Sequence, residues 1–106
     1  MEHISFALRI DPANIEEYIR RHDNIDPELE AAFARYGIKQ YHIFHMGDGT
    51  LFAHMQVENH EEAMRGIAAT PANETWQRHM ADLLLPWENG QLSKPLRAAY
   101  AFEAGE

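Results

Sequence analysis

Tyr18 and His22 stand four residues apart on the apolar stripe of a predicted helix, and no other pair in the 106-residue chain is better placed for proton chemistry. From Ile15 the stripe runs through Tyr18, Ile19, His22, Ile25, Leu29, Phe33 and Tyr36. That is close to the three-and-four spacing of a helix face turned toward a core. Residues at i and i+4 share one face, so the imidazole and the phenol point together into whatever that face covers. Imidazole titrates near neutral pH and both takes and gives a proton. The same spacing fits a core histidine tied to a backbone carbonyl, and spacing alone leaves both readings open.

Seven histidines raise a metal reading as well. If the turn Gly47-Asp48-Gly49 pairs residues 46 and 50, His42 and His54 lie directly across from each other on one sheet face. Two imidazoles need a third ligand to hold zinc or copper, and only Gln56 and Glu58 are near. A solvated or interface pair is the commoner state, so no metal is assigned. The acidic residues Glu16, Glu17, Asp23, Asp26, Glu28 and Glu30 read as the solvated side of the first helix.

The elements that must position these groups follow from pattern. Residues 3–10 alternate, with Ile4, Phe6, Leu8 and Ile10 on one face, which is a strand. Asp11-Pro12 opens a helix expected over about 13–36, disturbed around Pro27 and stopped by Gly37. A second strand is expected over 38–46 and a third over 50–58, joined by the glycine turn. Asn59 opens a second helix ending near Ala69. Thr70-Pro71 restarts helical character through Trp76 to Leu85. Residues 86–95 read as a loop and 96–102 as a last strand. The order is β-α-β-β-α-β, the plan of an α+β ferredoxin-like antiparallel sheet with helices on one face.

Strand three carries Leu51, Ala53, Met55 and Val57 on one side and Phe52 on the other. In strand two, Tyr41 and Ile43 oppose Ile38 and Phe44. A sheet apolar on both faces wants cover on both, so a sheet-to-sheet homodimer is expected.

Length bounds the chain to one domain, residues 1–106, and 45% hydrophobic content is that of a folded globule. A net charge of −8 argues against nucleic acid or an anionic membrane as partner. With no cysteine there is neither a disulfide scaffold nor a thiolate nucleophile. The start, Met1-Glu2-His3-Ile4, lacks a basic and apolar leader, and no run is long enough to span a membrane; a cytoplasmic protein is expected.

The segments Glu16-Glu17-Tyr18-Ile19-Arg20-Arg21-His22, Pro27-Glu28-Leu29, Gly37 and Tyr41 resemble the first half of the L-rhamnose mutarotase family. Trp76 with His79-Met80-Ala81-Asp82 is similar to its second half, in register to about residue 83. The resemblance implies a ferredoxin-like dimeric α/β barrel that interconverts the α and β anomers of an L-6-deoxyhexose of the rhamnose or fucose type. It implies His22 as the catalytic proton shuttle, Tyr18 and Tyr41 as sugar-contacting phenols and Trp76 as an aromatic wall; Gln77, standing where the family has its second tryptophan, is taken from its place as a further sugar contact. The resemblance implies a monosaccharide partner and no cofactor. The family's usual tryptophan before Pro-Glu-Leu is Asp26 here, its paired tryptophans are Trp76-Gln77, and its late loop is replaced by Pro86–Ser93. The acid/base position thus matches while positions near the sugar differ. Two alternatives remain: a cofactor-free oxygenase or haem-degrading protein on the same barrel, and a non-catalytic sugar-binding module.

Overall fold

The computed structural model describes residues 1–105. Strand β1 (Glu2–Ile10) is followed by a 3-10 turn at Pro12–Asn14 and helices α1 (Ile15–His22) and α2 (Pro27–Arg35). Strands β2 (Ile38–His45) and β3 (Thr50–Val57) form a hairpin. Helices α3 (His60–Ala68) and α4 (Pro71–Met80) come next, then two short strands, β4 (Leu84–Leu85) and β5 (Lys94–Leu96). The sheet runs β2-β3-β1-β4, antiparallel throughout, with β5 also paired to β1. This is the expected ferredoxin-like order with its last strand divided.

Three expected boundaries move, each for a local reason. The single helix over 13–36 is two helices, because Asp26 caps a new one: its Oδ1 accepts from the Glu28 amide at 2.9 Å, with Pro27 in the first turn. A proline inside a helix would remove a hydrogen bond and clash with the preceding turn. The helix drawn to Leu85 stops at Met80, and Leu84 and Leu85 pair with Ile10 and Arg9 instead. The strand drawn over 96–102 lies at 94–96, where Pro95 opposite Phe6 sits on a sheet edge that does not need its missing N–H. Beyond it the chain is irregular, and Tyr100 and Phe102 are exposed.

The alternation of β1 and β3 is realised face by face. Ile4 pairs with Met55, Phe6 with Ala53 and Leu8 with Leu51, all toward the helices. Strand β2 departs from the expected alternation at one point. A register shift between Ile38 and Gln40 puts Ile38 in the same buried cluster that Tyr41 packs on, rather than on the opposite face. The far face carries Phe44 opposite Phe52 and His42 opposite His54.

The core has two parts. One gathers Leu29, Ile38, Met55, Val57, Ala63 and Ile67; the other gathers Ile10, Tyr18, Leu51, Met80 and Leu83. Trp76 packs on both. Two glycines are needed for close approach. Gly49, at φ 96°, has the Ile10 carbonyl where a side chain would begin, and a Cβ on Gly66 would enter the ring of Tyr36.

Candidate active site

Helix α1 is amphipathic, and Tyr18 is its one buried residue. Glu16 and Glu17 in its first turn and Arg20, Arg21 and His22 in its last suit the helix dipole. His22 is therefore the terminal residue of the helix, half-buried, one turn past Tyr18. The two rings lie 4.4 Å apart between centroids. His22 Nδ1 is 3.0 Å from the Tyr18 backbone carbonyl. A carbonyl only accepts, so Nδ1 carries the hydrogen, and in the neutral ring Nε2 is left with a free lone pair.

Helix α4 brings Trp76 edge-on to His22, with centroids 5.0 Å apart and planes at 89°. Tyr41 enters from β2 and packs against Phe6 at 6.2 Å and Phe33 at 5.8 Å. Burial pushes the Tyr41 phenol up to about 12. Burial, and then the neighbouring Tyr41, push Tyr18 higher still. Both are thus neutral hydrogen-bonding phenols at any physiological pH.

These side chains line a cavity of about 830 Å³ between the sheet and the helices. Its walls include Ile4, Phe6, Leu8, Met55 and Met64, so it is largely apolar with a few polar groups. That size and character suit a small organic ligand. All five sequence-predicted residues reach it: Tyr18, His22, Tyr41, Trp76 and Gln77. Gln77 is exposed at the rim, with Nε2 donating to Asn73 Oδ1 at 3.3 Å.

Asn73 was not among the expected residues, though it lies four positions before Gln77 and so shares its face. Asp23 and Glu30, expected on the solvated side of the first helix, are exposed but also border the cavity, as do His60 and Ser93, which no spacing marked. Asp26 does not line it and is taken up as a helix cap. The loop after β4 contributes Leu92 and Ser93 to the cavity. The same loop sends Trp87 to the other side of the sheet, where its indole donates to the Ala7 carbonyl at 3.1 Å between Arg9 and Lys94.

The His42–His54 pair is in the expected register, yet His54 Nδ1 meets Ser5 Oγ at 3.1 Å and its ring stacks on His3. Among the described residues no group of three or more His, Cys, Asp or Glu side chains is arranged to hold a metal ion.

A charged network borders the site. Arg21 Nε donates to Glu17 at 2.7 Å, and Nη1 donates to the His79 carbonyl at 2.7 Å and to Asp82 at 2.8 Å. Hydrogen bonds from Arg20 and then Arg21 lower the Glu17 carboxyl from 4.5 to about 2, and Arg21 likewise lowers Asp82.

Fold and cavity together define a ferredoxin-like α+β protein with a cavity of small-molecule size between its sheet and helices. The family model for L-rhamnose mutarotase matches residues 3–101. An L-rhamnose mutarotase from Acidiphilium cryptum is 41% identical over 85 residues, covering 79% of this chain and 81% of that protein. One from Shigella flexneri serotype 5b is 35% identical over 81 residues, covering 76% and 77%. The crystal structure of L-rhamnose mutarotase from Formosa agariphila superposes with a TM-score of 0.81 at 26% identity, covering 97% of this chain and all of that one. The chain belongs to the L-rhamnose mutarotase family, a family of isomerases. No helix among the described residues is long and apolar enough to cross a membrane.

Proposed function

We propose that this chain is a mutarotase for L-rhamnose or a closely related L-6-deoxyhexose of the fucose type, with His22 as the proton shuttle. The observation that carries the mechanism is the bond from His22 Nδ1 to the Tyr18 carbonyl, 3.0 Å long, on a ring that lines the cavity. It fixes the tautomer and leaves Nε2 as the base. Nε2 takes the proton of the anomeric hydroxyl as the bond from C1 to the ring oxygen breaks. The imidazolium returns that proton to the ring oxygen, giving the open aldehyde. Rotation about C1–C2 presents the other carbonyl face. The reverse transfers then close the ring as the other anomer, and no proton or electron is gained or lost. Tyr18 and Tyr41, held as neutral phenols, hydrogen-bond sugar oxygens. Trp76 offers a flat wall to the C–H face, and Gln77 reads a hydroxyl at the rim.

The working form in this proposal is a cytoplasmic homodimer of single-domain subunits. Phe44 and Phe52 stand exposed across from each other on the face away from the helices, which supports a sheet-to-sheet pairing.

Saturation-transfer NMR of anomer exchange tests the reaction, with L-rhamnose, L-fucose and other aldoses, wild type beside His22→Ala. We expect wild type to accelerate exchange and the folded variant to lose about 10²–10⁴-fold of that acceleration. A folded His22→Ala with full activity would remove His22 from the mechanism. Sugar binding without acceleration in wild type would make the chain a binding module.

A further inference from the structure

We propose that Arg21 is a positioning residue whose guanidinium clamps the end of α1 to the turn after α4 and so holds His22 against Trp76. Its catalytic consequence rests on the function proposed above; its structural consequence does not.

Helix α1 has 8 residues and buries one of them, Tyr18. So short a helix is marginal on its own and takes its position from what it touches. The chain then turns at once into the residues that cap α2. Arg21 supplies the missing anchor. Its fork reaches both Asp82 oxygens, at 2.8 and 3.3 Å, while Nη1 also takes the His79 carbonyl and Nε is held by Glu17 on the same helix. The Arg21 side chain is only 14% exposed although Asp82 is 65% exposed, so the cation lies along the protein surface rather than out in solvent. Isolated exposed ion pairs contribute little to stability. A shielded, two-toothed and branched arrangement is different chiefly in geometry, since a planar fork fixes direction as well as distance.

That geometry coincides with the site. Arg21 immediately precedes His22 in sequence. His79, whose carbonyl Arg21 grips, lies one turn after Trp76, with ring centroids 5.9 Å apart. Arg21 is thus adjacent to His22, and the His79 carbonyl it grips is within one turn of Trp76, with Asp82 in the turn just beyond α4. Glu17, which Arg20 also engages, keeps the guanidinium aimed from the α1 side, so the Arg21 fork is held between a carboxylate on its own helix and one in the turn after α4.

The test follows Arg21→Met, Asp82→Ala, the double variant and Arg21→Lys. Anomer exchange gives kcat and KM, and the nuclear Overhauser effect between the His22 ring and the Trp76 indole reports the contact. We expect Arg21→Met and Asp82→Ala to remain folded and to lose the Overhauser contact. Their kcat falls about tenfold or more with KM within about twofold, because a misplacement of about 1 Å is enough for such a loss. The double variant is no worse than the poorer single, and Arg21→Lys recovers part of the rate. Arg65→Gln, which breaks the exposed Glu61–Arg65 pair on α3, leaves both readouts unchanged. An Asp82→Ala protein with wild-type kcat and an intact contact overturns the proposal. So does a rate loss that only follows the unfolded fraction while the folded molecules keep the contact. If wild type itself shows no exchange, the mutarotase reading fails, and the Overhauser contact alone decides whether Arg21 sets the His22–Trp76 geometry.

Discussion

The hydrogen bond from His22 Nδ1 ends on the carbonyl of Tyr18, the residue one turn earlier whose ring lies beside it. One helical turn therefore supplies the proposed base, the acceptor that fixes its tautomer, and the adjoining phenol. Tyr41 comes from a different element and reaches the same cavity with its hydroxyl kept protonated by burial. Replacing Tyr41 by Phe removes one oxygen and leaves the packing on Phe6 and Phe33 in place. On the proposed mechanism kcat/KM falls only about threefold to tenfold, the value of one neutral hydrogen bond. Steady-state anomer exchange measures it; a loss as large as that of His22→Ala would give Tyr41 a share in the proton transfer.

At the scale of elements, the break between α1 and α2 matters most. Asp26 occupies a position where relatives were expected to carry an indole near the sugar, but here its carboxylate caps α2 and stands outside the cavity. Asp26→Ala should therefore cost about 1 kcal/mol of stability. Urea unfolding followed by circular dichroism reads that loss, while the ranking of sugars in the exchange assay stays the same. A changed ranking with unchanged stability would reverse the assignment. This also marks what sequence can resolve. The Tyr18/His22 spacing and the strand alternations are local periodicities, and they set the inward faces of α1 and β1 because burial enforces period 3.6 and period 2, whereas Tyr41, Trp76 and Gln77 were expected at the site only from the family resemblance. The split last strand and the inward turn of Ile38 depend on pairing partners distant in the chain, which no local pattern encodes. His22 itself is tied to a carbonyl, as the core reading of its spacing has it, and also lines the cavity, as the proton-shuttle reading requires.

For the whole molecule, the sheet's two faces have different fates. One is closed by helices around the cavity. The other leaves Phe44 at 61% and Phe52 at 42% exposure, with Trp87 covering only the β1 side near Ala7. A charge placed on that face, Phe52→Glu, should convert the proposed dimer to monomer in sedimentation velocity without altering the far-ultraviolet dichroism. A wild type that sediments as a monomer at high concentration would remove the dimer. The division of labour among the helices has an evolutionary consequence. Residues 73 and 77 lie on the rim side of α4, whereas on the same helix Trp76 packs on both halves of the core and Met80 is buried in one of them. Drift at the first pair leaves the packing untouched. On the proposed function, a lineage carrying this fold is therefore free to explore new sugars by replacing two rim side chains on one helix, long before it must renegotiate how the protein folds.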